Sequence, residues 1–220
     1  MGRADHKSEG RAGSLALVAG DLALDFANTE SGRGSDHHLN HLKSATDVLT
    51  WAKHANVISV AVAEQGCKQV KEQKQLADNL LRRAVCLRQT VYDISSSLVQ
   101  GVQPRDDILE ALAGHHCETM SHARLKQHGS RYAWSWNCDE ELGAAVLGPI
   151  VQAAINLLTH QDRSRIKQCG GNQCGWLFVD TSKNNSRCWC DMRVCGNRSK
   201  VKAMRARKRQ AAGPEARSAP

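Results

Sequence analysis

Two evenly spaced cysteine pairs in the last third of the chain restrict its local fold more than any other feature. Cys169 and Cys174 enclose four residues, Cys190 and Cys195 enclose four more, and fifteen lie between the pairs, giving C-x4-C-x15-C-x4-C. Tetrahedral Zn²⁺ takes four thiolates at about 2.3 Å, supplied as two short-spaced pairs joined by a linker long enough to fold back. The pattern therefore predicts one structural zinc with four protein ligands and no open position. Gly170-Gly171-Asn172-Gln173 reads as a tight turn between the first two ligands, in which glycine supplies conformational freedom. Four reduced thiols buried as small hydrophobes are the alternative, and these polar, glycine-rich surroundings do not suit it. Cys188 competes with Cys190, because residues two apart on an extended segment point the same way. Only Cys190 restores the symmetric spacing.

Charge is distributed as unevenly as cysteine. Residues 160–220 hold 14 lysines and arginines against 4 acids, whereas residues 1–159 hold 16 against 18. A near-neutral body with a strongly basic end predicts a polyanionic partner. Between Lys200 and Arg209 the apolar residues are Val201, Ala203, Met204 and Ala206, with no aromatic to enter a bilayer. Nucleic acid suits this segment better than a membrane. The odd count of nine cysteines argues against a disulfide framework. Leu15–Ala19 is too short for a signal sequence, and no run reaches the roughly 20 apolar residues of a span. The expected compartment is the cytoplasm, with Cys67, Cys86, Cys117 and Cys138 as ordinary thiols.

Hydrophobic periodicity divides the rest. Residues 1–13 read as a disordered N-terminus and 210–220 as a disordered tail. Ser14–Val18 and Leu22–Ala27 read as two short strands around a turn at Ala19-Gly20-Asp21. Asp47–His54 reads as a short helix and Val60–Val99 as a long helix or a broken pair. In the latter, Leu76, Leu80, Ala84, Leu87, Val91, Ile94 and Leu98 recur at helical spacing. Asp106–Ala113 reads as a further helix, Ala123–Lys126 with Arg131–Trp136 as a hairpin, and Leu142–Leu158 as a second helical stripe, broken or kinked near Pro149. The fold class is mainly α with a small antiparallel β-sheet (α+β), over residues 14–160. A zinc-binding module with a short hairpin and a basic C-terminal helix follows over 165–209.

The stretch Cys169-Gly-Gly-Asn-Gln-Cys174-Gly-Trp-Leu-Phe-Val-Asp180-Thr-Ser182, then Arg187-Cys-Trp-Cys190 and Cys195-Gly-Asn-Arg198-Ser-Lys200, resembles the CGNR zinc finger. That family takes its name from the last ligand and the three residues after it. The resemblance implies a DNA-binding zinc module. Upstream, Leu22-Ala-Leu-Asp25-Phe26-Ala-Asn28-Thr29 and Leu49-Thr-Trp51-Ala resemble the ABATE domain, which precedes this finger in bacterial proteins regarded as stress-induced transcription regulators. One departure is visible. The two arginines usual before Trp-Cys are Arg187-Cys188 here, which removes a cation and leaves a fifth thiol beside the metal.

These features point to a zinc-dependent transcription regulator of double-stranded DNA rather than an enzyme. Its N-terminal domain is expected to form a homodimer, to sense a small-molecule ligand, or both. Arg187, Arg198, Lys200, Lys202, Arg205, Arg207, Lys208 and Arg209 are the candidate DNA contacts. The seven on the helix read as spread around it, which favours phosphate contact over base reading. Asp25 and Asn28 either line a ligand pocket or, for Asp25, face outward from an edge strand. Asp180 reads equally as a surface turn acid or as a residue that hydrogen-bonds the ligand-bearing backbone or pairs with Arg187, and Trp189 as packing on the knuckle rather than stacking on a base. His37-His38-x-x-His41 and His115-His116-Cys117 read as ordinary sequence, since adjacent helical residues do not face each other. Two further readings stand beside this one: an RNA-binding finger, and an enzyme whose site lies in the N-terminal domain. Charge alone does not distinguish DNA from RNA.

Overall fold

The computed structural model describes residues 11–33 and 35–211, with side chains through Lys208. The remaining parts of the two terminal segments, 1–10 and 212–220, lie outside the described residues, as does the side chain of Arg209. Seven helices and three two-stranded antiparallel sheets follow in chain order: α1 (Leu22–Ala27), β1 (Glu30–Ser31), β2 (Leu39–Asn40), α2 (Ala45–His54), α3 (Val60–Glu72), α4 (Lys74–Val99), α5 (Asp106–Ser121), β3 (Ala123–His128), β4 (Arg131–Trp136), α6 (Leu142–His160), β5 (Ile166–Gln168), β6 (Leu177–Val179) and α7 (Asn197–Ala211). The α+β reading holds.

Helix α1 replaces the expected second strand. A strand over residues 22–27 would bury alternate residues, but the chain buries Ala23, Leu24, Phe26 and Ala27, the pattern of one helical face. Asp21, read as part of a turn, is its N-cap, accepting from the amides of Ala23 and Leu24. Nor is there a strand before it. Arg11–Ser14 is a 3-10 turn with Ala12 buried, and Leu15–Ala19 is irregular. Such a short apolar run fits either period, and the capping aspartate decides it.

The remaining periodic segments form as expected. Residues 60–99 are a broken pair, interrupted at Gln73. Helix α5 continues through Gly114 and both histidines to Ser121, beyond its expected end. Helix α6 carries Pro149 in its interior without a break. The indole of Trp136 lies where a Cβ on the preceding Gly148 would project, and its Nε1 donates to the Thr119 carbonyl at 2.8 Å. Among the described residues α6 alone is long and apolar enough to cross a bilayer, and most of it is buried in the core. It therefore corrects the expectation that no segment approaches a span's length.

Among the described residues, one hydrophobic core extends from Ala12 to Cys195. Phe26 and Trp51 pack tilted at 5.0 Å between centroids, and Leu87, Ile94, Ile150 and Leu157 are buried in the same cluster. Leu177 and Phe178 of β6 are fully buried in the same cluster, as are three of the four paired cysteines. The cysteine module is thus built into the N-terminal domain.

Candidate metal centre and nucleic-acid interface

The Sγ atoms of Cys169, Cys174, Cys190 and Cys195 all lie within 4.8 Å of one another. Cys174–Cys190 and Cys190–Cys195 are 3.6 Å apart. A tetrahedron with 2.3 Å metal–sulfur bonds has edges of about 3.8 Å, so the cluster has the size and donor set of a closed four-thiolate metal site. Hydrogen bonding from Cys174 and Cys190 pulls the Cys169 thiol far down. Sharing that proton pushes Cys174 up to about 12 and Cys190 higher still, while burial raises Cys195. Four thiolates packed this closely repel one another, and a bound divalent cation would offset that repulsion.

The local fold is shaped around that cluster. The amides of Gly171 and Cys190 point at Cys169 Sγ, at 3.4 and 3.3 Å. A Cβ on Gly171 would press on the sulfurs of Cys195 and Cys169, so this glycine serves space more than turn geometry. The positive φ angles of the knuckle fall instead at Gln173 and Gly175. Trp189 lies against Gly170 and Gly196, packing on the knuckle as expected. Cys188 is exposed, donates weakly to the Ser186 carbonyl, and stands outside the cluster.

Two polar residues of the linker are structural. Asp180 is fully buried. Its burial alone would raise the carboxyl, but Lys167 Nζ at 2.6 Å and the amides of Ser182 and Arg187 hold it below the ordinary range. It is no surface turn acid, and it meets Arg187 through the backbone. Arg187 corrects a further expectation. Its guanidinium lies 4.3 Å from the Phe178 ring centre and donates to the carbonyls of Trp189, Val179, Val18 and Cys190. It joins the linker to the N-terminal segment and is not turned to an external partner.

Asn28 does similar work from the other side. Its Nδ2 donates to Leu177 O and its Oδ1 accepts from Leu177 N, both at 2.9 Å and both buried. Asp25 Oδ1 accepts from Ala19 N at 3.0 Å, and Ala19 O in turn accepts from Val179 N at 2.7 Å. The structure brings Asp25 and Asn28 to the seam with the cysteine module rather than around a cavity. Nothing in the sequence pattern distinguishes an asparagine that grips a distant strand from one that binds a ligand.

Burial pushes the Asp25 carboxyl up to about 6, although the Ala19 and Val18 amides oppose it. The folded chain therefore holds this proton more tightly than the unfolded chain between pH 4 and 6. Asp25 costs stability in full above pH 6, and the cost shrinks as pH falls below 6 and is gone near pH 4. Asp25→Asn, which keeps an acceptor for Ala19, is expected to gain on the order of 2 kcal/mol at pH 7.5. The carboxyl ¹³C shift of Asp25 is expected to titrate near pH 6. A midpoint near 4 would exclude the burial effect.

The last cysteine sits in one π turn, Met192–Gly196, capped by Asp191, from which the backbone enters α7. Gly196 is tightly enclosed by Met192 and Trp189. Arg198, Lys200, Lys202, Arg205, Arg207 and Lys208 are all exposed, and among the described residues none pairs with an acid. They are not evenly spread. Arg198, Lys202, Arg205 and position 209 recur at i, i+4, i+7 and i+11, which is one face of a helix. Lys200 and Arg207 lie opposite. Arg198 and Lys202 border the same hollow as Gly171, Asn172 and Gln173, so this face continues onto the first knuckle.

The other sequence candidates stay separate. His38 pairs with Glu30, while buried His41 bonds Ser31 Oγ at 3.2 Å and has its pKa lowered by burial and by Arg11. His115 is half-buried and Cys117 is exposed on α5.

Residues 165–208 match the CGNR zinc finger family. Residues 20–161 match the ABATE family, whose description is "Putative stress-induced transcription regulator". No curated protein matches the chain. With more than half its length in the second match and the sulfur cluster inside the first, the chain belongs to the ABATE family and carries a CGNR zinc finger directly behind that domain.

Proposed function

We propose that this protein is a zinc-dependent, DNA-binding transcription regulator of the cytoplasm, with no catalytic role. The observation that carries the reading is the junction at Cys195. A four-sulfur cluster of zinc dimensions ends within three residues of an exposed helix whose described cations lack acidic partners. Zinc would be held by Cys169, Cys174, Cys190 and Cys195 and would supply a rigid cross-link, with no open position for a substrate. The protein residues do the rest. The cluster fixes Arg198 at the first turn of α7, and Lys202, Arg205 and position 209 extend the same face outward. Such a face neutralises phosphates and fixes register on the duplex. A two-fold operator needs two readers, so the regulator is taken to act as a homodimer.

The test is a salt series on duplex DNA. About 4 phosphate contacts from one helix face give a slope of about −3.6 in log K against log salt for each protomer bound. Contacts from all around the helix would steepen it beyond −5. Binding that is insensitive to salt, or equal loss of DNA and RNA binding to a structured RNA competitor, would overturn the DNA reading.

A further inference from the structure

No step of the DNA reading uses the β3–β4 hairpin, and its two faces differ in kind. Residues directly opposite each other in an antiparallel pair share a face. One face begins with Ala123 opposite Trp136 and continues with Leu125 opposite Trp134 and Gln127 opposite Tyr132. The other carries Arg124, Lys126, His128 and Arg131. The first face is anchored at its root. Ala123 is buried there, and the Trp136 indole bonds Thr119 O against Gly148 of α6. Beyond that pair the same face leaves the core, with Leu125 58%, Trp134 44% and Tyr132 71% exposed. Taking about 250 Å² for a whole aromatic residue, these adjoining side chains present roughly 400 Å² of mostly apolar surface. A contiguous patch of that size on a single chain is the size of an interaction site.

Charge selects the occupant. The exposed part of this face has no acid or base, and the Gln127 amide already donates to Gly129 O at 3.1 Å. The cations of the hairpin all stand on the opposite face. A nucleic-acid strand stacked on Trp134 needs cations beside the ring for its phosphates, and this face offers none. An acidic peptide meets the same difficulty. Residues 1–159 hold 16 bases against 18 acids, so the domain has no net attraction to an anionic membrane and no strong repulsion from its own copy. We infer that the Leu125–Trp134–Tyr132 face packs on the same face of a second copy of this chain, about a two-fold axis. A two-fold interface is self-complementary, and tyrosine and tryptophan are enriched in interface cores. Pairing these faces turns every hairpin cation outward. Two such faces bury about 800 Å², below the roughly 1,200–2,000 Å² of a stable complex. The pairing is therefore weak and reversible. It supplies the contact residues of the homodimer proposed above, and it does not depend on DNA.

Sedimentation equilibrium of the full-length zinc-loaded chain, without DNA, reads the association. The average mass should rise from that of one chain, 24.1 kDa, at about 1 µM to well above it at about 200 µM. Trp134→Ser and Tyr132→Ser remove apolar area at exposed positions without changing charge, and each should weaken dimerisation at least fivefold. Gln127→Leu extends the apolar face and should tighten dimerisation at least threefold, a gain that a folding defect cannot imitate. Lys126→Gln with Arg131→Gln alters the opposite face and should change the constant less than twofold. A monomer at both concentrations overturns the interface, whether or not that monomer binds phosphatidylglycerol vesicles. So does a loss in the Lys126 and Arg131 variant equal to that of the serine variants. A chain that associates this way without affinity for duplex DNA supports the interface and rejects the DNA reading. A strict monomer that binds DNA does the reverse.

Discussion

Replacing Cys174 with serine is expected to release the metal and to unfold more than the finger. Structural zinc sites in small modules contribute on the order of 10 kcal/mol of binding free energy. That is comparable to the whole stability of a typical domain. In a finger joined by a flexible linker the loss would stay local. Here the strand three residues after Cys174 is part of the common core, with Leu177 and Phe178 fully buried. It is held from the N-terminal domain by Asn28, and the Cys174 carbonyl itself accepts from Gly32 N at 2.9 Å. Freeing the knuckle leaves Asn28 without its buried partners and removes the carbonyls that Arg187 joins. Metal analysis should give one zinc per native chain, a full complement in Cys188→Ser, and none in Cys174→Ser. Far-ultraviolet dichroism, dominated by the long helices of the N-terminal domain, should melt at a lower temperature in Cys174→Ser and after chelation. An apo chain with native dichroism and unchanged melting would show that the metal does not support the shared core.

The same coupling explains which parts of this molecule could be read from the sequence. Spacing alone placed the four sulfurs together, because a C-x4-C pair and its distant twin have few uses other than enclosing a cation. Long helices were equally legible, since the stripe from Leu76 to Leu98 repeats over about six turns of one element. The short N-terminal run was not. Leu22–Ala27 is six residues long, and its helical state depends on the Asp21 side chain capping two amides, a local bond that outweighs a weak periodic signal. Arg187 and Asn28 were misread for a different reason. Their partners are carbonyls and amides of Val18 and Leu177, more than 140 residues away in sequence. An arginine in a basic segment looks like a phosphate ligand until the backbone it grips is known.

The largest effect on DNA affinity is expected from one face of α7. Changing Arg198, Lys202 and Arg205 to glutamine removes three of the four positions on the face that continues onto the first knuckle. The side chains are exposed, so the folded chain and its zinc content should be unaffected. With about 4 phosphates neutralised, native affinity should fall about 150-fold between 50 and 200 mM salt. The triple variant, left with about one contact, should fall only about fourfold over that range and bind far more weakly at the lower salt. The control triple takes the cations off the other faces, at Lys200, Arg207 and Lys208. Net charge changes equally in both variants, so a purely long-range attraction would weaken them alike. A docked face predicts that the control keeps nearly the native slope. Equal slopes in the two triples would mean that α7 acts as a diffuse cationic tail, and the role of the metal in aiming Arg198 would have to be abandoned.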